Sequence, residues 1–244
     1  MEDFVHVEHP FAGRSDRLYA GVFDGHGGDR VARRASDEMH RLLAAELETG
    51  HPTATAIARA FRAFDDAVAE EPSGSTAAVL VLQGNDLVVA NSGDSYVVLV
   101  SPDGVARLTT DHRLTNEAEY RRVVAAGAQL WGPYACLPDG TGLMCTRSLG
   151  DRPFRAIGIV AEPDLAARSL GAEDSWIVAA TDGVWDGLDV EDVARLARAA
   201  STAAEAAEQI RDAALVASLD NVAVVAIRRP SSAIPEELAS ATGG

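Results

Sequence analysis

The chain has 244 residues, of which 47% are apolar and 24% are charged, as expected for one globular domain with a large core. Its 37 acidic and 21 basic side chains give a net charge of −16, and every base is arginine because the sequence contains no lysine. This excess of acid argues against a nucleic-acid or anionic-membrane partner, because phosphate groups attract the opposite charge.

The sequence carries no sign of export or membrane insertion. It shows no basic segment followed by an apolar leader and no run of eighteen apolar residues, so we expect a soluble, cytoplasmic protein. Abundant Ala, Arg, Val and Gly together with the lack of Lys resemble the codon bias of a GC-rich genome. We therefore expect a bacterial source.

Two predicted helices and a set of short strands follow one another in the first half of the chain. Residues 29–49 carry apolar side chains at three- and four-residue spacing, and a second helix opens at Pro52 and stops at Pro72. The pattern then changes to short β-branched runs separated by turn residues. We expect a meander of antiparallel strands with tight turns, formed by residues 77–83, 86–91 and 96–101.

The second half predicts a helix, an irregular stretch and a return to strands and helices. Residues 115–126 have a helical pattern, and residues 127–142 are expected to be irregular. A strand is predicted at 174–181, and two helices follow, the first capped by Asp189 and the second by a capping box of Thr202 and Glu205. A last strand at 222–227 ends the predicted domain, which covers residues 1–228, and residues 229–244 are expected to form a flexible tail.

This order of elements predicts an α+β fold in which helix pairs cover both faces of packed sheets. Phe23-Asp24-Gly25-His26-Gly27-Gly28 is the segment with the most chemical information, because it directly ends the apolar run of residues 18–22. Asp182 ends a second apolar run in the same way, at residues 176–180. A rigid strand end holds a side chain more accurately than a loop tip does.

Acidic residues also occur at Glu2, Asp3 and Asp220, again beside predicted strands. Carboxylates gathered at the end of a sheet repel one another unless a cation holds them, and hard divalent ions bind such oxygen ligands. Two ions about 3.5–4 Å apart can deprotonate a bridging water and offer hydroxide for in-line attack on phosphorus. Mg²⁺ or Mn²⁺ suit an all-oxygen site of this kind.

Each of these residue types also has a purely structural interpretation. Asp-Gly pairs are first of all turn signals, so Asp103-Gly104 after Pro102 predicts a hairpin turn. The pair Asp65-Asp66 is expected to lie on the solvated face of the second helix.

His26 lies two residues from Asp24 on the same turn and can donate a proton to a leaving alkoxide. His112 is a second candidate for that role. The remaining histidines are expected on the surface: His6, His9, His40 and His51.

Eight segments of the chain resemble, in order, the motifs of the metal-dependent Ser/Thr protein phosphatases of type 2C, the PPM family. One such motif is a weak signal, but eight in family order, with family-like spacing from residue 1 to about 228, are highly specific. The segments are residues 1–3, 22–28, 73–77, 90–95, 111–112, 146–151, 180–186 and 220–221.

The resemblance implies a four-layer α-β-β-α sandwich of two antiparallel sheets flanked by helix pairs. It also implies a two-metal site at one end of the sandwich and a short flap insertion at about residues 112–146. Asp24 then corresponds to the ligand that bridges both ions, Gly25 supplies a carbonyl oxygen, and His26 is the general acid.

The resemblance extends to the other carboxylates of the site. Asp182 and Asp220 correspond to ligands of one ion, while Glu2 and Asp3 bind the ions or lie just behind their ligands. Asp111 and Asp182 match positions that hold a third, weakly bound metal.

The activity implied is Mn²⁺- or Mg²⁺-dependent hydrolysis of phosphoserine and phosphothreonine in proteins, by direct attack of the metal-bridging hydroxide and without a phosphoenzyme. Phosphorylated proteins would be the partners, and we expect a monomer. Two alternatives stay open at this stage. One is a phosphatase-like binding or regulatory module with weak or no activity, and the other is a hydrolase of small phosphate esters on the same fold.

The sequence departs from the family pattern at one position. The family usually places a phosphate-binding arginine four residues before the residue that corresponds to Glu2, and the sequence begins too late to contain it. Either the true start lies upstream, or another arginine serves, or metal and water alone hold the phosphate. Arg14, Arg17 and Arg147 are the candidate substitutes.

Overall fold

The computed structural model describes residues 1–229 and 238–242. The strands, in chain order, are β1 (Asp3–Glu8), β2 (Arg17–His26), β3 (Gly74–Ser75), β4 (Ala77–Gln83), β5 (Asp86–Ser92), β6 (Tyr96–Ser101), β7 (Gly104–Arg107), β8 (Gln129–Trp131), β9 (Tyr134–Cys136), β10 (Gly142–Leu143), β11 (Leu149–Gly150), β12 (Asp164–Ser169), β13 (Trp176–Ala180), β14 (Ala223–Arg228) and β15 (Leu238–Thr242). The α-helices are α1 (Arg30–Glu48), α2 (Thr53–Ala67), α3 (Glu117–Ala125), α4 (Asp182–Trp185), α5 (Val190–Ala199) and α6 (Ala203–Ala217), and a 3-10 helix covers Arg152–Ile157.

Two antiparallel sheets form the centre of the molecule. The first has seven strands in the order β11-β3-β2-β4-β5-β12, with β1 paired to β2. The second has five strands in the order β15-β14-β13-β6-β7. A separate three-stranded sheet, β10-β9-β8, belongs to the insertion between β7 and β11.

The layers follow from the two-residue alternation of side chains along each strand. In β2, Leu18 and Val22 point into a core between the two sheets, whereas Tyr19 and Phe23 point into a core beneath α1 and α2. The strands of the second sheet divide in the same way between the central core and a third core beneath α5 and α6. Three successive cores make four layers, which confirms the predicted α-β-β-α sandwich.

Most predicted elements lie within a few residues of the observed ones. The predicted caps are also present, because the Asp189 side chain accepts a hydrogen bond from Asp192 N at 2.8 Å and Thr202 Oγ1 accepts one from Glu205 N at 3.1 Å. The hairpin turn at Pro102-Asp103 joins β6 to β7, with Ser101 opposite Gly104.

The predicted meander is wrong at its third strand. β4 pairs with β5, but β6 pairs with β13 and β7 in the other sheet. The chain crosses between the sheets at residues 92–95, where Gly93 has a φ of +121° and a Cβ would come within 2.6 Å of Thr76. Only glycine fits a left-handed backbone at so close an approach. The crossover brings Asp94 to the end of the sandwich.

The insertion is more ordered than the sequence pattern indicated. Residues 127–142, expected to be irregular, contain β8, β9 and β10, and these strands share a small core with α3 and the 3-10 helix through Val123, Ala135 and Phe154. Within residues 1–229 and 238–242, none of the helices combines the length and the apolar character that a membrane span needs.

Part of the region expected to be a tail forms a strand. β15 pairs with β14 from Ala223 opposite Thr242 to Ile227 opposite Leu238. The rest of the predicted tail beyond Arg229, residues 230–237 and 243–244, lies outside the described residues.

Asp65 does not lie on a solvated helix face, so that prediction is wrong for one member of the Asp65-Asp66 pair. Asp65 is buried, and its Oδ1 accepts hydrogen bonds from Arg155 Nη2 and from Gly150 N, both at 2.8 Å. The same Arg155 nitrogen also donates to the carbonyl oxygens of Ser148 and Gly150. These hydrogen bonds of Asp65 and Arg155, which we call the Asp65–Arg155 clamp, hold the turn at residues 148–151 against α2.

We expect Asp65→Ala to lower the free energy of unfolding by on the order of 3 kcal/mol, because Arg155 would lose its carboxylate while remaining mostly buried. Urea unfolding measures the change. Asp66→Ala is the matched control, since Asp66 is exposed and its loss is expected to change stability by less than about 0.5 kcal/mol. Equal effects of the two substitutions would contradict the clamp.

Candidate metal centre

Three aspartates from three chain segments meet at one end of the sandwich. Asp3 lies at the start of β1 directly opposite Asp24 near the end of β2. Asp182 follows β13 of the second sheet and begins α4. The charges of Asp3 and Asp182 both act on the carboxyl group of Asp24, as expected for acids that are neighbours at this end of the sandwich. The structure therefore brings Asp24 and Asp182 together as the sequence analysis expected.

A hydroxyl group connects the two sheets beneath these carboxylates. Thr181 Oγ1 donates to Asp3 Oδ2 at 2.7 Å and accepts from Ala223 N at 3.0 Å. On the other side, Thr76 N donates to the Asp24 carbonyl at 2.8 Å. Because these partners are buried, they fix the backbone that carries the acids.

The electrostatics of the cluster oppose full ionisation. Burial and the charges of Asp3, Asp182 and Asp94 raise the pKa of Asp24 well above its ordinary value. Burial, followed by the charge of Asp94, raises the pKa of Asp182 to about 7, although Arg113 opposes this shift. Burial also raises the pKa of Asp3 to about 6, with a further contribution from the charge of Asp220. Such a cluster needs either protons or a cation.

Arg113 supplies one positive charge from the chain itself. Its guanidinium donates to Asp94 Oδ2 at 2.7 Å, to Asp182 Oδ2 at 2.8 Å and to Asp186 Oδ1 at 3.1 Å. The desolvating effect of burial is outweighed by these carboxylates, which raise the pKa of Arg113. One oxygen of Asp182 is therefore bonded to arginine in this arrangement, whereas no described arginine bonds to the side chain of Asp24 or Asp3.

The remaining predicted ligands lie around this cluster and differ in how far they are exposed to solvent. Asp220 is exposed, and its Oδ1 accepts a hydrogen bond from Asn221 N at 2.8 Å, but its charge still acts on Asp3 and Asp182. Glu2 is half-buried, and its backbone N donates to Asn221 Oδ1 at 2.8 Å.

Gly25 and Asp111 complete the predicted set. The N–H of Gly25 donates to the Glu2 carbonyl, and a Cβ on Gly25 would lie 2.7 Å from that oxygen, so no larger residue fits there. Asp111 is half-buried, and its Oδ1 is buried without a hydrogen-bond partner among the described residues. Burial raises the pKa of Asp111, partly offset by Arg107 and Arg113.

His26, which is partly buried, pairs with the buried Asp151. Its Nε2 lies 2.6 Å from Asp151 Oδ2, which also accepts a hydrogen bond from Ser148 Oγ at 2.6 Å. Burial alone would lower the pKa of His26, but the hydrogen bond to Asp151 and its charge outweigh burial, and the pKa is raised. Gly74 packs directly on this pair, and a Cβ there would overlap the Asp151 carboxylate.

His112 has a structural role in place of the catalytic one considered for it. The ring is fully buried, its Nδ1 accepts from Gly93 N at 3.1 Å, and its Nε2 lies 3.0 Å from Asp164 Oδ2. Both nitrogens are thus engaged at the crossover between the sheets. The surface prediction is wrong for His40, which is 8% exposed.

The three candidate phosphate-binding arginines are all engaged outside the acidic cluster. Arg14 pairs with Asp16, Arg17 donates to Gln83 Oε1, and Arg147 donates to Glu119. Arg113 is the arginine that contacts the cluster, and no feature of the sequence singled it out.

Two further residues of the site were missed, although both lie in the segments that carry the family resemblance. Asp94 follows Gly93, and Asp151 follows Gly150. In both cases a glycine with positive φ precedes the acid, so a Gly-Asp pair at a strand end is the signal that could have identified them.

The donor set fits hard divalent ions. The carboxylates of Asp3, Asp24 and Asp182 provide oxygen ligands, which Mg²⁺ and Mn²⁺ prefer, without sulfur or imidazole ligands among them. The raised pKa values of Asp3, Asp24 and Asp182 show that the cluster favours added positive charge.

A family model described as protein phosphatase 2C matches residues 1–222. The chain belongs to the protein phosphatase 2C family. Probable protein phosphatase 2C 64 from rice (Oryza sativa subsp. japonica) is 34% identical over 216 residues, which cover 77% of this chain and 51% of that protein. Protein phosphatase 2C homolog 2 from Hypocrea jecorina is 35% identical over 188 residues, with 70% and 42% coverage.

Solved structures of this family share the fold. The serine-threonine phosphatase 2C of Toxoplasma gondii superimposes with a TM-score of 0.81 at 20% identity, covering 92% of this chain and 89% of that one. The chain spans about half the length of the curated relatives it matches. Because these relatives come from a plant and a fungus, the bacterial source stays a prediction without support from them.

Glu119 anchors the insertion and is expected to make stability depend on pH. Burial opposes its ionisation, but hydrogen bonds from Arg122, Arg147 and Thr146 outweigh burial and lower its pKa to about 2. A carboxylate with a lowered pKa stabilises the fold above its unfolded pKa, near 4.5, and this stabilisation is lost as the pH falls toward 2.

Glu119→Gln is therefore expected to cost about 3 kcal/mol at pH 7, with the difference from the unmodified chain shrinking between pH 4.5 and 2. Urea unfolding at several pH values measures it. Glu117→Gln is the control, because Glu117 is exposed and bonds only Arg121 on the helix surface. A difference for Glu119→Gln that is the same at pH 7 and pH 3 would contradict this assignment.

Proposed function

We propose that this chain is a Mn²⁺- or Mg²⁺-dependent protein serine/threonine phosphatase that acts on phosphorylated proteins. The observation that carries the proposal is the convergence of Asp3, Asp24 and Asp182 at the end of the sandwich, in a chain of the protein phosphatase 2C family. The all-oxygen donor set of this cluster supports hard divalent ions.

Each acidic residue has a proposed role in holding the ions. Asp24 would bridge two ions with help from the Gly25 carbonyl, and Asp182 and Asp220 would bind one of them. Bound ions would supply the acidity that makes water a nucleophile at neutral pH.

The outer carboxylates would support these ligands. Glu2 and Asp3 would lie at or directly behind the ligands, where the Thr181 hydroxyl already holds Asp3. Asp111, whose Oδ1 accepts no hydrogen bond from the described residues and lies 3.6 Å from Arg107 Nη2, would join Asp182 around a third and weaker ion.

Arg113 must release Asp182 before that carboxylate can bind an ion through both oxygens. The guanidinium is then available at the mouth of the cluster, where it can bind a phosphate through two parallel hydrogen bonds. Arg113 is thus our proposed phosphate-binding arginine within this sequence. It also comes from the insertion, which supports the proposed flap at about residues 112–146.

His26 would protonate the departing serine or threonine oxygen. Burial alone would lower the pKa of His26, but the hydrogen bond and charge of Asp151 raise it, which favours the protonated imidazole that a general acid requires. Because Asp151 holds the Nε2 side of the ring, the transferable proton would reside on Nδ1. Asp151 would act as a positioning residue for His26.

We also propose that the protein works as a cytoplasmic monomer without nucleic-acid or membrane partners. The net charge of −16 supports the absence of nucleic-acid and membrane partners, since it disfavours binding to polyanionic surfaces. Ions in the site would invert the local potential that a phosphoprotein meets.

Asp24→Asn is expected to lower the kcat for phosphopeptide hydrolysis by at least about 10³-fold, because the bridging carboxylate is lost. Malachite-green release of phosphate from a phosphothreonine peptide at saturating Mn²⁺ measures it. Asp103→Asn in the β6–β7 turn is the matched control, since it removes the same charge from another Asp-Gly pair. Near-normal turnover of Asp24→Asn would overturn the ligand assignment.

Metal removal separates the proposed function from its alternatives. Activity on the phosphopeptide is expected to vanish in EDTA and to return with Mn²⁺. Failure of Mn²⁺ to give any hydrolysis would favour a phosphatase-like binding module. Hydrolysis of p-nitrophenyl phosphate without hydrolysis of the phosphopeptide would favour a small-phosphoester hydrolase.

Arg113→Gln is expected to bind Mn²⁺ about tenfold more tightly, because the ion no longer competes with a guanidinium for Asp182. Calorimetric titration with Mn²⁺ measures the dissociation constant independently of turnover. Arg121→Gln, on α3 of the same insertion, changes the net charge equally and leaves the cluster intact. Unchanged or weaker binding by Arg113→Gln alone would contradict the competition.

A further inference from the structure

A second group of potential metal ligands lies between β1 and α1, away from the acidic cluster. His6 and Glu8 share one face of β1 because they are two residues apart, and His40 of α1 approaches them. Glu8 Oε2 lies 3.7 Å from His6 Nε2 and 3.9 Å from His40 Nε2. One ligand atom from each of the three residues lies within 4.8 Å of the other two.

We propose that His6, Glu8 and His40 form a site for a zinc-class divalent cation, which joins β1 to α1. Two imidazole nitrogens and one carboxylate are ligands that Zn²⁺ accepts and that Mg²⁺ does not prefer. The inference does not depend on phosphatase activity, because none of these residues belongs to the acidic cluster. His6 is three residues from Asp3 along the strand, a distance of roughly 10 Å.

The spacing of the ligand atoms is close to that of a tetrahedral site. Zn–N and Zn–O bonds of about 2.0–2.1 Å place neighbouring ligand atoms about 3.3–3.4 Å apart. The two measured distances exceed this by only a few tenths of an ångström.

The imidazole rings of His6 and His40 are stacked, with centroids 3.8 Å apart and an interplanar angle of 10°. One ring must therefore turn before both lone pairs can point at one ion. The ring of His6 is the more exposed of the two, so we expect it to be the one that turns.

Buried polar atoms without partners provide an independent indication of a ligand. Among the described residues, His40 Nδ1 and the hydroxyl of Tyr19 are both buried and have no hydrogen-bond partner. The ring of Tyr19 packs edge-on against His6, and its hydroxyl lies over Gly21, the residue opposite His6 in the strand pair. Buried polar atoms are ordinarily satisfied, and a water bound to the ion would supply a partner for the Tyr19 hydroxyl, whereas His40 Nδ1 faces away from an ion held by Nε2.

Zinc binding to the chain with Asp24→Asn and Asp182→Asn tests the proposal, because these substitutions remove the two central carboxylates of the acidic cluster. Competition against a chromogenic chelator is expected to give one Zn²⁺ per chain, and Zn²⁺ is expected to raise the melting temperature. In that background His6→Gln and His40→Gln are each expected to weaken binding at least about tenfold.

The controls are His9→Gln and His51→Gln, which remove histidines outside the group. Circular dichroism checks that each variant is folded. If the buried His40→Gln variant unfolds, the test relies on His6→Gln, because His6 is half-exposed. Failure to bind one equivalent of Zn²⁺, or equal binding by the His6 variant and the controls, would overturn the proposal. Neither outcome bears on phosphatase activity, which is measured with the acidic cluster intact.

Discussion

The mutual repulsion of buried carboxylates is the constraint on which the rest of this structure depends. Asp3, Asp24, Asp94 and Asp182 meet where the two sheets end, and burial together with neighbouring negative charges raises the pKa values of Asp3, Asp24 and Asp182. Holding them there requires rigid strand ends, the Thr181 hydroxyl beneath them and a cation in front of them. Arg113 supplies one such positive charge through its contacts with Asp94 and Asp182. Clustered carboxylates of this kind favour the binding of a cation.

The same constraint explains how the fold and the proposed chemistry are connected. The acids come from both sheets, so the site exists only when the two sheets pack face to face over their shared core. The turn at residues 148–151, which carries Asp151 to His26, is in turn held by Asp65 and Arg155 from outside the site. Stability and site geometry therefore rest on the same contacts.

Much of the fold was predictable because periodicity and caps are local signals. The helices at 30–48 and 53–67, the caps at Asp189 and Thr202, and the position of Asp24 at a strand end all follow from neighbouring residues. Pairing between distant segments was not predictable in this way. The crossing of the chain to the second sheet at residues 92–95 could not be predicted for that reason. The Arg113 contacts and the buried His40 depend on residues far apart in sequence, and no local pattern encodes them.

Anomalous diffraction from crystals of the chain grown with Mn²⁺ tests the central claim most directly. The account predicts two anomalous peaks about 3.5–4 Å apart on either side of the Asp24 carboxylate, with the Arg113 guanidinium displaced from Asp182. Crystals soaked at saturating Mn²⁺ that lack a peak beside Asp24 and retain the Arg113–Asp182 contact would contradict it.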